Sequence, residues 1–284
     1  MSFIAEVEDV WFSYSDKNHV LKEISFRVRK GEFLAIIGRN GSGKSTLMRL
    51  LVGLIKPTRG KILIDSLDTS KEKVSTLARK VGFVFQNPND QLFCRSVEEE
   101  VTFALRNIGL PGDEVKKRTD EALEKFSLKS VRGVYPRFLS RGDKQRVSVA
   151  AVSAMNPELL ILDEPTTGQD YRDSTEIMKH ARNLNAAGMT VILVTHDIRN
   201  VATYTERAIL LDNGKIVADA STRHVLTEHR MLRECNLSPP QITELAKGCK
   251  EMGVRADILS VDEMAEEVVR VFGGSMYAAS DREE

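Results

Sequence analysis

The spacing of hydrophobic residues changes several times along this chain, and each spacing predicts a different kind of element. Apolar and polar residues alternate from Ile4 to Phe12 and again over residues 24–29, which is typical of antiparallel strands with one exposed face. An unbroken apolar run over residues 33–37 predicts a strand buried on both faces, as in a parallel sheet. Leucines recur at helical spacing after Ser45, so we expect a helix there.

A largely helical stretch then interrupts the strand pattern. Residues 96–126 are rich in Glu, Lys, Leu and Ala, with a break at 109–112, and residues 142–155 carry another helical pattern. We expect a helical subdomain over about residues 87–155, inserted between sheet strands. Further elements are expected on either side of it: short strands at 62–64, 81–85, 159–162 and 190–195, and a helix over 172–187.

The C-terminal part of the chain has a different character. Asp212-Asn213-Gly214 is a strong turn signal between two short apolar segments and predicts a hairpin. Beyond it we expect one helix from Pro240 to about Met252, another over residues 261–272, and a frayed tail from Gly273. We therefore divide the chain into an α/β domain over residues 1–222 and a small C-terminal helical appendage with a flexible tail over residues 223–284.

Composition narrows the class of protein. Lys and Arg together number 41, as do Asp and Glu, so the formal net charge is zero, whereas nucleic-acid-binding proteins usually have a basic excess. Cys94, Cys235 and Cys249 show no CxxC spacing, which argues against a disulfide framework. No apolar run approaches the roughly 20 residues that span a bilayer, and no secretory signal is readable. We expect a protein of the reducing cytosol that neither binds nucleic acid nor crosses the membrane itself.

The residues between the apolar strand and its helix match the phosphate-binding pattern G-x-x-x-x-G-K-[ST]. Glycines let the backbone wrap around a phosphate, so that successive N–H groups and the helix N-terminus face its negative charge. Lys44 is expected to reach the β- and γ-phosphates, and the hydroxyl of Ser45 to bind Mg²⁺. The candidate nucleotide-binding residues of this segment are Gly38, Arg39, Asn40, Gly41, Ser42, Gly43, Lys44, Ser45 and Thr46.

Two acidic residues supply a second motif directly after the apolar run 159–162. A buried parallel strand would deliver Asp163 to the sheet edge beside the phosphate loop, where its carboxylate is expected to hold Mg²⁺. Glu164 follows at once, and a carboxylate beside the γ-phosphate can polarise an attacking water as a general base. Together the two motifs predict a P-loop NTPase.

Three further segments decide the branch of the P-loop NTPases. Val84-Phe85-Gln86-Asn87-Pro88 follows a strand, Leu139-Ser140-Arg141-Gly142-Asp143 precedes a helix, and Val194-Thr195-His196-Asp197 ends a strand. With these segments the sequence closely resembles the ABC ATPase family over about residues 3–222, in which they are the Q-loop, signature and H-loop segments. The resemblance implies a RecA-like α/β core with an antiparallel β subdomain and an inserted α-helical subdomain.

The resemblance also implies roles for individual residues. Tyr14 would stack on adenine, and His196 would contact the γ-phosphate. Gln86 would touch Mg²⁺ and the attacking water and would sense a membrane partner. The implied catalytic set is Lys44, Gln86, Glu164 and His196, and the implied Mg²⁺ set is Ser45, Gln86 and Asp163.

Members of this family work as pairs, as homodimers or heterodimers, with each ATP between the P-loop of one subunit and the signature segment of the other. Ser140 and Gly142 would therefore contact an ATP on a second subunit, and residues 168–170, which match the D-loop, would cross the interface. Here Arg141 and Asp143 replace the usual glycine and glutamine. Because arginine adopts glycine's positive-φ conformations only at a cost, we expect a loop that accommodates the side chain, in one half of an unequal pair whose site still works.

One subgroup is the most similar. Residues 86–93 and 96–101, and the short appendage over 223–272, resemble the ATPases of energy-coupling-factor importers and of related cobalt and nickel importers. The resemblance implies uptake of vitamins or transition-metal ions, with an integral membrane coupling protein, a substrate-binding membrane protein and a location on the cytoplasmic face of the membrane.

Other classes remain as alternatives. The chain could serve another ABC transporter class, or be a non-transport ABC ATPase that acts on DNA or ribosomes. Neither a long coiled-coil insertion nor a second ATPase unit is present, and there is no Asn-Lys-x-Asp motif of a switch GTPase.

Overall fold

The computed structural model describes residues 2–15 and 18–280, with the side chains of 274–280 excepted. Its strands form two sheets, a four-stranded antiparallel sheet near the N-terminus and a six-stranded, mainly parallel sheet. The strands are β1 Phe3–Ser13, β2 His19–Arg29, β3 Phe33–Ile37, β4 Arg59–Ile64, β5 Leu67–Asp68, β6 Val81–Val84, β7 Leu159–Asp163, β8 Thr190–Thr195, β9 Arg207–Asp212 and β10 Lys215–Ser221.

The six-stranded sheet has the order β10-β9-β3-β8-β7-β6. Strands β9, β3, β8, β7 and β6 run parallel, and β10 closes one edge antiparallel to β9. All residues of β3, β7 and β8 are buried, as the unbroken apolar runs predicted. The four-stranded sheet, β2-β1-β4-β5, is antiparallel, and β1 and β2 alternate between buried and exposed residues along much of their length.

The helices lie around and between these sheets. Three of them, α3 to α5, follow β6 and precede β7, so they form the helical insertion, and their apolar faces pack with β7 and β8 in one core cluster. The helices are α1 Lys44–Leu51, α2 Val74–Leu77, α3 Val97–Asn107, α4 Gly112–Lys125, α5 Arg141–Ala154, α6 Tyr171–Ala186, α7 Ile198–Tyr204, α8 Thr222–Thr227, α9 His229–Glu234, α10 Gln241–Gly248 and α11 Val261–Ser280.

Serine side chains cap the N-termini of two helices of the insertion, α3 and α5. Ser96 accepts a hydrogen bond from Glu99 N at the start of α3, and Ser140 accepts one from Asp143 N at the start of α5. The α4 helix begins directly after Pro111, which has no N–H to donate and suits a helix entrance.

The last helix is longer than the sequence predicted. Helix α11 extends to Ser280, whereas the pattern predicted an end at Phe272 and a frayed tail from Gly273. Two glycines cost a helix roughly 1 kcal/mol each, but the alanines and methionine that follow them are good helix formers. Residues 281–284 of that tail lie outside the described residues.

Parallel strands bring their C-terminal ends to one edge of the six-stranded sheet. The segments after β3, β6, β7 and β8 are therefore neighbours in space, although β3 ends at Ile37 and β8 ends far along the chain at Thr195. Within the described part of the chain, no helix has both the length and the apolar character to cross a membrane.

Candidate functional site

The glycine-rich loop Gly38–Ser45 connects β3 to α1 and occupies the C-terminal edge of the parallel sheet. Gly43 adopts φ +107°, a conformation that residues with side chains rarely take. Gly38 is required for space, because a Cβ atom there would lie 2.2 Å from the carbonyl oxygen of Leu211. The loop's conformation therefore depends on glycine at these positions.

The turn of the β9–β10 hairpin braces this loop from outside. Gly214 N donates a hydrogen bond to the carbonyl oxygen of Ser42 at 3.0 Å. Arg39 donates to Asn213 Oδ1 at 2.6 Å and forms an ion pair with Asp212 at 3.1 Å. The turn that the sequence predicted as a simple connection thus also holds the phosphate loop in shape.

Lys44 points its ammonium group into the loop. The residue is 6% exposed, and Nζ donates to the carbonyl oxygens of Gly38 at 2.7 Å and Arg39 at 3.1 Å. Burial lowers the pKa of Lys44, while the nearby carboxylates of Glu164 and Asp163 oppose that effect. A buried cation inside a ring of backbone groups is suited to binding a phosphate.

Asp163 ends β7 beside the loop and is buried. Its Oδ1 atom has no hydrogen-bond partner among the described residues, which is costly for a buried carboxylate unless a ligand binds there. Burial raises the pKa of Asp163, and a hydrogen bond with Ser45 opposes that shift. A free carboxylate oxygen beside a hydroxyl is the set of oxygen donors that Mg²⁺ prefers, so Asp163 and Ser45 fit this ion.

Glu164 lies one residue further on, in a strained backbone conformation with φ +47°. Glu164 N donates to Val194 O at 2.8 Å, and the side chain is buried. His196 Nδ1 lies 2.8 Å from the Glu164 carboxylate. Thr167 and Thr195 donate to Glu164 Oε2 at 3.1 and 3.4 Å. The carboxylate is thus oriented by an imidazole and two hydroxyls, as a general base needs to be.

Tyr14 lies above the first turn of α1. Its hydroxyl is 3.3 Å from Thr46 Oγ1 and 3.4 Å from Arg49 Nη1, and its ring packs edge-on against Phe12. The ring is 58% exposed, so one face is available for stacking on a base. The fold therefore brings Tyr14 and Thr46 to the phosphate loop.

Gln86 occupies the loop after β6, the strand next to β7. The Val84–Leu162 pair is the last of that register, so Gln86 follows just beyond the edge where Asp163 ends its strand. Its side chain is exposed and forms no hydrogen bond with any described residue. Gln86 thus lies beyond the sheet edge where β7 ends and, within the described residues, forms no hydrogen bond with the other candidate residues.

The signature segment, residues 139–143, begins helix α5, and its hydrogen bonds are separate from those of the phosphate loop. Ser140 caps α5 and donates to Asp143 Oδ2 at 2.8 Å, while Asp143 also pairs with Arg146. Gly142 lies against the carboxylate of Asp173: a Cβ atom there would lie 2.1 Å from Asp173 Oδ2, so the Asp173 side chain would have to move. Among the described residues, none of these groups bonds to the phosphate loop.

Arg141, which replaces the family's usual glycine, creates no backbone strain. It is the first residue of α5 and is absent from the positive-φ residues. A side chain is therefore accommodated at this position, as the sequence analysis expected.

Several supporting residues were missed by the sequence analysis. Thr195 and Asp173 contact residues about 30 positions away in the sequence, whereas Thr167 contacts Glu164 only three residues before it. Nothing in the local pattern of these three residues indicates a role. Only Thr195 lay inside a motif already singled out, next to His196.

Known proteins show the family to which this site belongs. The sequence model of the ABC transporter family matches residues 21–167. The energy-coupling factor transporter ATP-binding protein EcfA of Methanothermobacter thermautotrophicus is 38% identical over 272 residues, 95% of this chain and 88% of the relative. A putative ABC transporter ATP-binding protein of Methanosarcina acetivorans is 41% identical over 248 residues, or 87% of this chain. The chain spans only 40% of the length of that second relative.

Solved structures agree. The structure of cbiO1 from Clostridium perfringens, described as part of the ABC transporter complex cbiONQ, matches with TM-score 0.75 and 38% identity, covering 87% of this chain and 100% of that one. A dimeric post-hydrolysis state of the ATP-binding cassette MJ0796, bound to ADP and Pi, matches with TM-score 0.69 and 31% identity, covering 77% of this chain and 98% of that one. The chain belongs to the ABC transporter family, as an ATP-binding subunit of the energy-coupling factor group.

Proposed function

We propose that this chain binds ATP with Mg²⁺ and hydrolyses it as one of two ATPase subunits that drive an energy-coupling-factor type importer. The observation that carries the proposal is the convergence of Lys44, Asp163 and Glu164 with His196 at one sheet edge. An energy-coupling factor ATP-binding protein is 38% identical to this chain across 95% of its length, and this similarity supports the transport role.

Nucleotide binding is assigned to the loop and its surroundings. The N–H groups of residues 38–46 would surround the β- and γ-phosphates, and Lys44 would exchange its two carbonyl partners for phosphate oxygens. Adenine would stack on Tyr14. Ser45 and Asp163 would hold Mg²⁺, with Gln86 assigned to the same ion, and the bound ion would supply positive charge to the phosphate oxygens.

Hydrolysis is assigned to Glu164. Its carboxylate would accept a proton from water as the water oxygen bonds to the γ-phosphorus, and the bond to the β–γ bridging oxygen would break, releasing ADP and phosphate. His196 and Lys44 would offset the charge that develops on the γ-phosphoryl oxygens. The hydrogen bonds from Thr167 and Thr195 keep the carboxylate in one orientation through the reaction.

A second ATPase subunit completes the site in this proposal. Within the part of the chain that the structure describes, Ser140 and Gly142 form no hydrogen bond with a phosphate-loop residue, and they would contact a nucleotide on another subunit. The dimeric state of the cassette bound to ADP and Pi supports this arrangement. The structure leaves open a homodimer or a heterodimer.

A membrane coupling protein is the proposed partner of the helical insertion. Phe93 is 64% exposed and Phe103 is 44% exposed, and their rings pack edge-on with centroids 4.9 Å apart. The buried Glu100 accepts hydrogen bonds from Phe93 N and Cys94 N, both at 2.5 Å, which fixes the loop that presents Phe93. A fixed pair of exposed aromatic rings is typical of the anchors of a protein interface. We place this contact at the cytoplasmic face of the membrane, with a separate membrane protein binding the vitamin or metal ion.

Expression of the chain together with its native membrane partners tests the proposal. We expect the chain to purify with integral membrane proteins and to hydrolyse ATP in preference to GTP. Changing Phe93→Ser should release the chain from the membrane fraction, whereas Val74→Ser, at an exposed apolar residue outside the insertion, should not. Purification with ribosomes or nucleic acid alone, or a preference for GTP, would contradict the proposed function.

A further inference from the structure

The side chain of Arg141 lies against the D-loop of its own chain. A Cβ atom built on Gly168 would be 2.9 Å from both Cζ and Nη1 of Arg141 and 3.2 Å from Nε. Three guanidinium atoms at nearly equal distance mean that the planar group covers the face of Gly168. Only a glycine leaves room for this contact, and Gly168 also has φ +71°.

The contact depends on shape rather than on an ion pair. Within the described residues, the Arg141 guanidinium has no carboxylate partner and donates no hydrogen bond. The backbone adds a second link, since Gln169 Nε2 donates to the carbonyl oxygen of Arg141 at 3.4 Å. A planar guanidinium can cover a flat backbone surface in this way, whereas the ammonium of lysine cannot.

The D-loop in turn is bonded to the general base. Thr167, directly before Gly168, donates from Oγ1 to Glu164 Oε2 at 3.1 Å and from N to Glu164 O at 3.2 Å. Gln169 N donates to Thr166 O at 3.2 Å, which closes the turn. A continuous series of contacts therefore runs from Arg141 through Gly168 and Thr167 to Glu164.

We propose that Arg141 is a positioning residue that couples the signature segment to the chain's own general base through Gly168 and Thr167. The proposal rests on the proposed function, in which the signature segment meets the nucleotide of a second subunit while Glu164 acts on the nucleotide of its own. Engagement of one nucleotide would then fix the orientation of the carboxylate at the other. The arginine that departs from the family pattern is thus the residue that links the two sites.

A double-mutant cycle on the assembled transporter tests this coupling. Arg141→Lys keeps the charge but loses the flat contact, and Thr167→Val removes the hydroxyl on Glu164. We expect each change to lower kcat by roughly 10-fold with KM nearly unchanged, because a small displacement of a catalytic group costs rate rather than binding. The double variant should be no slower than about the slower single variant. Arg230→Lys, at an exposed arginine of α9, is the matched control and should leave kcat unchanged.

Hydrogen exchange on the isolated full chain gives an independent readout. Arg141→Lys should speed amide exchange in the segment 166–170 at least roughly 3-fold, with the thermal unfolding midpoint unchanged, because only the local closing contact is lost. Kinetic effects that multiply to about 100-fold, a native kcat in Arg141→Lys, or unchanged exchange would each overturn the coupling. An assembled wild-type protein without ATPase activity would instead refute the proposed function, and the exchange experiment would still decide whether Arg141 holds the D-loop.

Discussion

The two halves of the nucleotide site are built in opposite ways. Lys44, Asp163 and Glu164 are each 6% exposed and sit among backbone groups and neighbouring strands. Ser140 and Arg141 are exposed at the start of a helix, and the hydrogen bonds of Ser140 with described residues go to Asp143 and Lys144 in the first turn of that helix. The buried half, with Lys44, Asp163 and Glu164, is thus assembled within a single chain. The exposed half, with Ser140 and Arg141, is proposed to contact a nucleotide on a second chain.

The two halves obtain their geometry from different sources. The buried half is positioned by the parallel sheet, so its arrangement should persist in the isolated subunit. The exposed half is proposed to act only in the assembled dimer, so changes there should alter the dimer and leave nucleotide binding by the single chain intact. The predictions below test that separation.

Replacing the general base should have the largest effect. Glu164→Gln keeps the hydrogen bonds of a planar group but cannot accept a proton, so we expect kcat to fall by about 10³-fold while ATP still binds. Phosphate release by the assembled complex and calorimetric ATP binding measure the two quantities. The control Glu206→Gln changes an 83% exposed carboxylate and should alter neither. Retention of more than a tenth of the native rate would exclude Glu164 as the base.

Removing the buried ammonium group of Lys44 should have the second-largest effect. Lys44→Met removes charge-assisted hydrogen bonds to phosphate, each worth roughly 1.5–3 kcal/mol, so ATP affinity of the isolated chain should fall by about 100-fold. Titration of the single chain with ATP measures this directly. Lys215→Met, at a 58% exposed lysine, is the matched control. Equal ATP affinity in Lys44→Met and the wild type would show that the buried half does not bind phosphate.

Ser140→Ala should distinguish the two halves of the site, because it should affect the ATPase rate of the dimer but not ATP binding by the single chain. It removes a helix cap, which costs about 1 kcal/mol of stability, and the equivalent cap change Ser96→Ala in α3 should cost about as much. Only Ser140→Ala should also lower the ATPase rate of the dimer, by roughly 10-fold, because in the proposed dimer Ser140, and not Ser96, would contact the second nucleotide. ATP binding to the single chain should be native in both variants. A loss of ATP affinity in the isolated Ser140→Ala chain would contradict the division into two halves.

Restoring the family's usual signature should have the smallest effect. The double change Arg141→Gly and Asp143→Gln removes the guanidinium from Gly168 and the ion pair with Arg146 but keeps Ser140 at the start of α5, so we expect the ATPase rate to fall by about 10-fold, as in Arg141→Lys. The rate is measured on the assembled dimer. A large gain over the native sequence would show that this signature marks a degenerate site rather than an accommodated one.

Much of the fold follows from local patterns. The buried strands, the phosphate loop between β3 and α1, the helical insertion and the hairpin at Asp212–Gly214 were all readable, because each depends on residues adjacent in the sequence. The helices α7, α8 and α9 were not predicted, since six or seven residues carry too little periodicity. The assignments of individual site residues stay predictions, although the sheet brings most of them together.

The support around the site could not be predicted in the same way. The hydrogen bond from Thr195 to Glu164 and the contact of Asp173 with Gly142 join elements that are far apart in the sequence. The left-handed backbone of Glu164 and the hydrogen bond that it accepts from Thr167 are local, but no sequence pattern indicated them. The arginine at 141 was visible as a departure from a pattern, but its contact with Gly168 required the positions of both loops.

The brace that the β9–β10 turn places on the phosphate loop has a kinetic consequence. Arg39 and the carbonyl oxygen of Ser42 are held by residues of that turn, so the loop has its shape before any ligand arrives. The backbone of the phosphate loop therefore does not need to rearrange before a nucleotide binds to it. In stopped-flow mixing, the observed rate constant for ATP binding should therefore rise linearly with ATP concentration and show no plateau.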